Sequence, residues 1–454
     1  MAIKFAPPVA PEAQVPLPAL PPALSLTPSS ANRSRLWIAA EWLLLLLLTA
    51  LVLNWLLVSN NAPHQPDFRA FFYPAAKLVA HGLSPYDFEV TEAQSGFVYP
   101  PHLALLLAPL GFLPYPLAAD LWEIFNLALL AITLRMSEYI VGLDLGWLRR
   151  TIVYLALLLW APVHMHFILG SCSLIVAASL TGALLAIQRN RLWLAGFLLA
   201  VSAVKPQLVF LLGAGLVLRA WRAERSVKLL LTGPLSLAGA LLATYVVAPT
   251  WPATLFAHPH DVYDYWGCTT NLRTLLATPS GHNWLTEGIF WAVCIAACGW
   301  LLLRWADPAS DLTVLSSLTL TWTLLATPYA QGYDYVILVL PLLLVLARIS
   351  VEPPHRRPWL FLSLALGTWI SGSLDRWFYG WLAWGSVWKT LSHWFGEDWV
   401  AAVWQSTKWD YRFLVMLVPL GLTVVLQRWP PKTAKRPERV PLTHGDARQP
   451  APDS

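Results

Sequence analysis

Asp67 is the first candidate for a catalytic residue. It lies in a polar stretch that follows the first long apolar segment. The stretch reads PDFRAFFYPAAKLVAHGLSPYDFEVTEAQSGFVYPP over residues 66–101 and mixes charged, aromatic, glycine and proline residues. Eight residues separate Asp67 from Val58, the last residue of the apolar segment. The carboxylate is therefore expected at the membrane surface, with water on one side and lipid on the other. A carboxylate in that place can act as a general base on a lipid-linked substrate.

The same position also suits a structural role. Phe68, Phe71 and Phe72 recur at helical spacing and predict a short helix lying in the membrane interface, with Asp67 at its start. An Asp at a helix start accepts backbone N–H groups and needs no other function. Asp87, further along the stretch, is expected to be a turn residue because Gly, Ser and Pro precede it.

Lys205 is the most informative cation outside the predicted loops. It lies in AVSAVKPQLVF between two apolar segments, where Pro206 breaks the helix and leaves a lone ammonium at the outer end of the bundle. A charge in that position is costly unless it has an anionic partner, and a phosphate fits well. The alternative is a lysine that extends its ammonium from a helix end into water.

The predicted loop from Thr250 to Trp284 has a composition suited to a saccharide or a phosphate. Its polar residues include Asp264, Asn271, Arg273 and His282, set among Tyr and Trp residues. Arg273 and His282 are candidates for binding a phosphate, and Asp264 and Asn271 for binding a sugar or an acceptor. An ordinary solvated loop explains the same composition equally well.

Two tyrosines and a histidine complete the candidate site. Tyr99 precedes Pro100 and Pro101, which fix an extended entry into the next helix, and His102 lies one residue inside that helix. His102 is a candidate donor to a phosphate, whereas Tyr73 and Tyr99 are candidates for binding the sugar or the acceptor.

The composition predicts a polytopic membrane protein. Of 454 residues, 57% are hydrophobic and 12% are charged, about half the charged fraction of an average soluble domain. The net charge of +5 is modest and gives no reason to expect nucleic-acid binding. Residues 1–32 form a Pro/Ala-rich tail and residues 430–454 a basic tail, both expected to be disordered and cytoplasmic. Residues 33–429 are expected to form the membrane domain.

Apolar segments and cationic clusters predict the topology of an all-α bundle. About twelve spans are expected, beginning with an uncleaved span over Leu36–Val58 that contains Glu41, a carboxylate with functional potential. Val98–Leu113 is expected to be a re-entrant or surface helix, because one more span would place the basic tail outside. The loops left on the outer side are residues 59–99, 250–284, 328–333 and 372–410.

No metal, cofactor or redox chemistry is expected. His164 and His166 stand at i and i+2 and do not share a helix face. Packing is the expected role of the cysteines, since no CxxC or CxxH spacing occurs among Cys172, Cys268, Cys294 and Cys298.

Three segments follow one another along the chain: DFRAFFYPAAKLVAHGLSPYD, FVYPPHLALLLAPLGFLPYPLAADLWEIFN and AVKPQLVFLLGAGLVLRAWR. In this order they resemble the membrane-embedded C-type glycosyltransferases of family 87, which include polyprenyl-phosphate-mannose-dependent mannosyltransferases, over residues 36–350. The resemblance implies a polytopic helical fold in the inner (plasma) membrane, an active site facing away from the cytoplasm, and a lipid-phosphate-linked sugar as donor.

The resemblance also assigns individual residues. The acidic residue of the family's first outer loop corresponds to Asp67, and the lysine of its Lys-Pro turn corresponds to Lys205. Relatives commonly have Gly-Gln where this chain has Gly170 and Ser171. Any role of that glutamine therefore has no counterpart here.

Residues and resemblance together predict a glycosyltransferase that moves a hexose, with mannose expected, from a polyprenyl-phosphate donor to a lipid-linked or extracytoplasmic glycan. The leaving phosphate needs charge stabilisation rather than a general acid, so one carboxylate suffices and a single displacement inverts the anomeric centre. A retaining reaction needs a second carboxylate near Asp67, for which Asp87 and Asp264 are open candidates. The alternative function is a transporter or flippase of a lipid-linked saccharide, although no internal hydropathy repeat occurs.

Overall fold

The computed structural model describes residues 24–25, 35–59, 65–87, 97–222, 227–257, 271–277, 283–307, 309–327, 330–351, 421–422 and 424–427. Within these ranges the chain is helical apart from turns, loops and one parallel bridge between β1 (Leu24–Ser25) and β2 (Leu143–Asp144). The all-α fold class is therefore confirmed.

The helices of the described chain run in sequence order with short connections. A π-helical turn (Phe68–Phe72) precedes α2, and a 3-10 helix (Gly332–Leu338) precedes α15. The α-helices are α1 (Arg35–Ser59), α2 (Tyr73–Ala80), α3 (Pro101–Gly111), α4 (Tyr115–Val141), α5 (Gly146–Leu159), α6 (Ala161–Leu169), α7 (Ser173–Gln188), α8 (Leu192–Ser202), α9 (Pro206–Arg222), α10 (Val227–Val247), α11 (Trp251–Ala257), α12 (Leu272–Ala277), α13 (Trp284–Trp305), α14 (Leu312–Ala326) and α15 (Val339–Val351).

Three segments of the described chain are long and apolar enough to cross a membrane: α4, α13 and Gly332–Ile349. The pair α5 and α6 makes a fourth if it counts as one bent span. The prediction of about twelve spans is wrong for this part of the chain, because six other apolar helical segments have only 10–17 residues. A helix needs about 20 apolar residues to cross a bilayer upright. The predicted outer loop 372–410 lies outside the described residues.

The break between α5 and α6 has a local cause. Trp160 is extended, with φ −69° and ψ 128°, and Pro162 follows in the first turn of α6. Proline lacks the N–H that would continue the helix and restricts the residue before it. The two helices consequently meet at 63°.

Helix α3 fits the prediction of a helix that does not cross the membrane. It has 11 residues, which corresponds to about 16 Å of helix, roughly half the thickness of the hydrocarbon core. It packs closely on α2, since a Cβ on Gly111 would stand 2.5 Å from the carbonyl oxygen of Ala76. The two short helices therefore pack together as one unit, and α2 directly follows the π-helical turn after Asp67.

Helix α7 lies in the interior of the bundle. Fourteen of its residues are buried, and they cover every face of the helix. A helix that is apolar all round is a core helix rather than a surface helix. Because of this position, Ser173, the polar first residue of the helix, is buried inside the protein.

Glu41 is part of an ion pair between α1 and α5. Its Oε1 lies 2.9 Å from Arg149 Nη2. Nearby, Glu138 on α4 pairs with Arg150 at 2.9 Å and is itself buried. These carboxylates lie with the cationic residues expected on the cytoplasmic side, so Glu41 has a structural partner that the sequence did not reveal.

Candidate active site

Lys205 and Asp334 form a buried ion pair. Lys205 Nζ lies 2.7 Å from Asp334 Oδ1, and the two side chains are 3% and 1% exposed. Lys205 Nζ also donates to Ser173 Oγ at 2.9 Å, and Ser173 Oγ donates to the same Asp334 oxygen at 2.6 Å. The alternative of a lysine reaching from a helix end into water is therefore wrong.

Three separate elements bring these groups together. Ser173 is the first residue of α7, Lys205 lies in the turn between α8 and α9, and Asp334 lies in the first turn of the 3-10 helix. Pro206 opens α9, and a proline disfavours helical geometry at the residue before it. The sequence thus places the lysine at a break between helices, where α7 and the 3-10 helix reach it.

Asp334 is a site residue that sequence reasoning missed. Its Oδ2 accepts the backbone N–H of Gln331 at 2.9 Å, which fixes the start of the 3-10 helix. A signal was present, because Asp334 is a single carboxylate directly before the apolar run from Tyr335 to Ala347. It was overlooked because it falls on the border between the predicted loop 328–333 and the span after it.

The Lys205 ammonium has one donor group left. Of its three N–H groups, two are used by Ser173 and Asp334, and the third has no hydrogen-bond acceptor among the described residues. The ring centroids of Tyr333 and Tyr99 lie 4.6 Å and 5.8 Å from Nζ, distances at which an aromatic face stabilises a cation. Burial opposes the charge, but Asp334 raises the pKa of Lys205 above its ordinary value.

Asp67 lies within electrostatic reach of this ion pair. Burial raises the pKa of Asp67 from 3.8 to about 6, while Lys205 lowers it and Asp334 adds to the rise. Although Asp67 precedes the π-helical turn, its side chain caps no backbone N–H. The structure does not bear out the capping alternative. A carboxylate whose pKa is close to neutrality is suited to proton transfer.

The phenylalanines after Asp67 anchor its segment inside the protein. Phe68 stacks on Trp122 with ring centroids 5.5 Å apart, and Phe72 packs against Tyr99 at 4.9 Å. Both phenylalanines are completely buried. The predicted helix is present, and its Phe68 and Phe72 pack against protein side chains. Its place in the membrane interface stays a prediction.

Gly170 lies next to Phe68 and is tied to Trp122. Its backbone has a positive φ of +69°, and an added Cβ would stand 2.8 Å from Phe68 Cβ. Trp122 Nε1 donates to the Gly170 carbonyl at 2.9 Å. Glycine accommodates both the left-handed backbone and the close approach. Ser171, at the position for which the resemblance implies a glutamine, lies 3.2 Å from Ser173, measured between the two hydroxyl oxygens.

Of the three aromatic candidates near Asp67, one borders the ammonium. This is Tyr99, whose carbonyl accepts the Tyr86 hydroxyl at 2.8 Å. Tyr73 donates its hydroxyl to the Leu113 carbonyl at 2.7 Å and so braces α2 against the end of α3. His102 is 7% exposed, and neither ring nitrogen has a hydrogen-bond partner in the described ranges. Burial lowers its pKa to about 4, so a neutral ring would offer a hydrogen bond but no charge.

The candidates from the predicted loop 250–284 are described in part. Asn271 donates to the Thr327 carbonyl at 3.0 Å, and the Thr327 hydroxyl donates to the Gln207 carbonyl at 3.0 Å, two residues after Lys205. Arg273 Nε lies 2.7 Å from Glu287 Oε1 of α13, an anionic partner within the protein. Asp264 and His282 lie outside the described residues.

The described ranges contain no group of three or more His, Cys, Asp or Glu side chains that could hold a metal ion. His166 Nε2 instead lies 3.0 Å from Asn126 Oδ1. Metal independence stays a prediction.

The family comparison decides the class of the protein. The model of glycosyltransferase family 87 matches residues 97–328, just over half of the chain. The chain belongs to glycosyltransferase family 87. It is therefore a membrane glycosyltransferase, and the resemblance noted from the sequence is confirmed.

Two kinds of curated relative resemble this family 87 protein. An alpha-(1->3)-arabinofuranosyltransferase of Mycobacterium tuberculosis is 25% identical over 81% of this chain and 83% of its own length. A polyprenol-phosphate-mannose-dependent alpha-(1-2)-phosphatidylinositol pentamannoside mannosyltransferase of Mycolicibacterium smegmatis is 28% identical over 39% of this chain and 42% of its own length. No solved structure matches the chain. Family membership favours the transferase over the transporter alternative.

Proposed function

We propose that this protein transfers a sugar from a polyprenyl-phosphate donor to a lipid-linked or extracytoplasmic glycan. The site would lie on the outer face of a multi-pass protein of the inner (plasma) membrane. The observation that carries the proposal is the buried Lys205 ammonium, which has one N–H group left to donate. The Asp67 carboxylate interacts electrostatically with this ammonium, and its side chain caps no backbone N–H. The name of the mannosyltransferase relative, which specifies a polyprenol-phosphate donor, supports it.

Asp67 is proposed as the general base. The acceptor hydroxyl oxygen attacks the anomeric carbon of the donor, its proton passes to Asp67, and the bond between the anomeric carbon and the phosphate oxygen breaks. A well-placed base accelerates such a step by about 10² to 10⁴. The raised pKa of about 6 makes the carboxylate a stronger base than an exposed Asp while leaving it mostly ionised at neutral pH.

Lys205 is proposed to stabilise the leaving group. As the bond breaks, negative charge grows on the polyprenyl phosphate, and a preorganised ammonium N–H in a site shielded from water stabilises that charge strongly. Arg273, His102 and His282 remain predicted supporting donors, and Tyr73, Tyr99, Asp264 and Asn271 remain predicted contacts to the sugar or acceptor. Because Arg273 forms an ion pair with Glu287, a phosphate bound to this guanidinium would have to share it with the Glu287 carboxylate.

The arrangement favours a single displacement with inversion. A retaining double displacement needs a second carboxylate that is free to attack the anomeric carbon. Asp334 is a carboxylate close enough to raise the pKa of Asp67. Its Oδ1, however, accepts hydrogen bonds from Lys205 and Ser173, and its Oδ2 accepts one from the Gln331 N–H. Asp334 is therefore unsuited to be a nucleophile.

Two donor sugars have specific support. Mannose was predicted, and the Mycolicibacterium smegmatis relative is named for mannose transfer. The relative that aligns over 81% of the chain is named for arabinofuranose transfer, which favours a pentofuranose as the second candidate. Both belong in the first experiment.

The test is sugar transfer by the purified protein. Radiolabelled polyprenyl-phosphate mannose and polyprenyl-phosphate arabinofuranose are offered with a membrane lipid extract as acceptor, to wild type, Asp67→Asn and the control Asp87→Asn. Asp87 closes a turn with its backbone N–H on the Ser84 carbonyl and is expected to be replaceable. Label should move with wild type and the control and fall at least 100-fold with Asp67→Asn. A bound donor that never loses its sugar would instead indicate transport.

A further inference from the structure

We propose that Asp334 is a positioning residue for the transfer reaction, the counter-ion that keeps Lys205 charged and fixed before the donor binds. The donor phosphate would then meet a preformed ammonium donor. The identity of this ligand rests on the proposed function, whereas the role of Asp334 rests on the ion pair itself.

Without an anionic partner a buried lysine loses its proton at a lower pH than an exposed lysine does. Lys205 is 2% exposed, and desolvation disfavours the charged form of a lysine, by several pKa units for fully buried groups. Asp334 at 2.7 Å supplies the opposing charge before any donor arrives. A site that lacked it would have to protonate its lysine each time a phosphate bound.

The same contacts fix the direction of the ammonium. A lysine is a flexible four-carbon chain with rotatable donors, so a single contact leaves the head group mobile. Here Asp334 and Ser173 take two N–H groups from different elements. Their positions determine where the third N–H points.

Asp334 is held firmly enough to perform this role. Its Oδ2 accepts the Gln331 backbone N–H at 2.9 Å, and its Oδ1 also accepts the Ser173 hydroxyl at 2.6 Å. Both oxygens are therefore fixed by groups other than the lysine. A donor phosphate can approach Lys205 without drawing Asp334 out of place.

The other groups that face Lys205 do not replace this carboxylate. Asp67 is the second anion of the cluster, but among the described residues it is Asp334, not Asp67, that forms the ion pair with Lys205. The remaining titratable neighbours, Tyr99, Tyr333, Cys172 and His166, carry no negative charge at neutral pH in their ordinary forms.

The experiment measures binding of farnesyl monophosphate, a short polyprenyl monophosphate, to the full-length protein in nanodiscs by calorimetry from pH 7 to pH 9. Variants are Asp334→Asn, Ser173→Ala and the double variant Lys205→Gln/Asp334→Asn. Glu138→Gln is the matched control, because Glu138 is also a buried, ion-paired carboxylate but lies with Arg150. Ionisation of the probe affects all proteins equally and cancels in ratios to wild type.

The expected result is a pH-dependent loss in one variant. Asp334→Asn should bind within about threefold of wild type at pH 7 and at least tenfold more weakly at pH 9, since its lysine loses the proton as pH rises. Ser173→Ala should weaken binding by a constant factor of two to five. The double variant, which has no ammonium, should bind weakly without an added pH dependence, and Glu138→Gln should match wild type.

Two results with the folded carboxylate variants overturn the inference. One is an affinity ratio of wild type to Asp334→Asn that stays constant from pH 7 to pH 9, and the other is the same pH dependence in Glu138→Gln. A wild-type protein that binds the probe but transfers no sugar contradicts the proposed function. The pH dependence of probe binding by wild type and Asp334→Asn then still tests the role of Asp334. A wild-type protein that does not bind the probe contradicts both. If Asp334→Asn cannot be purified folded, a pH-dependent loss in Ser173→Ala would overturn the proposal.

Discussion

Gly170 lies directly against Gln65, so closely that a Cβ on the glycine would stand 2.8 Å from Gln65 Cβ. Gln65 itself has a positive φ of 53°, and its Nε2 donates to the Ala119 carbonyl at 3.3 Å. Because Asp67 follows Gln65 by two residues, the conformation that presents the carboxylate depends on the absence of a side chain at position 170.

Gly170→Ala should therefore reduce transfer by at least tenfold. The added methyl meets Gln65 and Phe68 at once, so the segment that carries Asp67 has to move. The measurement is the single-turnover rate of sugar transfer together with thermal unfolding. Gly142→Ala is the matched control, since Gly142 has φ +68° and nothing within 4 Å of an added Cβ. Both variants carry the backbone cost of roughly 1–2 kcal/mol, but only Gly170→Ala should lose rate beyond its loss of stability. Equal rates in the two variants would refute the role of this contact.

The single-turnover rate should depend on the ionisation of Asp67. A general base has to be deprotonated, and burial raises the pKa of Asp67 to about 6. The rate is expected to rise tenfold per pH unit below pH 6 and to reach a plateau above pH 7. Single-turnover conditions are chosen so that the chemical step is observed. A rate that is flat between pH 5 and pH 8 would exclude Asp67 as the base.

Asp67→Asn should stabilise the folded protein at neutral pH. The folded-state pKa of about 6 lies above the ordinary 3.8, so the protonated form favours folding. This contribution is fully present below pH 3.8 and is lost as the pH rises to about 6. The loss is at most about 3 kcal/mol, and asparagine, which carries no charge, avoids it. Thermal unfolding at pH 7.5 and pH 4.5 should show a stabilisation that shrinks at the lower pH. A variant less stable than wild type at pH 7.5 would contradict the partial burial of the carboxylate.

Glu41→Gln should leave transfer within twofold of wild type. Glu41 pairs with Arg149 across α1 and α5, and both side chains are partly exposed. Such pairs contribute about 0–1 kcal/mol, so only a small decrease in melting temperature is expected. The measurement is transfer at saturating donor, beside Asp67→Asn. A tenfold loss of rate would restore Glu41 as a functional carboxylate.

The sequence was sufficient to propose Asp67 and Lys205 as site residues. Both are charged residues at the borders of apolar segments, where a charge is costly and requires a reason. It was not sufficient to find the partner of Lys205, because Asp334 is 129 residues away along the chain. The Glu287 partner of Arg273 is only 14 residues away but was not anticipated either, because the two residues lie on different helices, α12 and α13, whose packing the sequence does not show.

The span count failed for a different physical reason. Mean hydropathy measures apolar character but does not distinguish a helix that contacts lipid from one that contacts protein. α7 is apolar and has 16 residues, and it is buried by neighbouring helices. The bend at Trp160 likewise could not be predicted without the backbone coordinates. A proline in the first turn of a helix, as Pro162 is in α6, is also found in helices that simply follow a loop.

Gly170 and Ser173 are separated by two residues. The first supports the segment of Asp67, and the second holds Lys205 and Asp334. Three trans peptide units span at most about 11 Å, so covalent bonds limit how far the supports of the proposed base and of the proposed phosphate donor can separate. Differences in acceptor size are therefore expected to be accommodated elsewhere in the protein, while the reaction distance stays constant from one acceptor to the next.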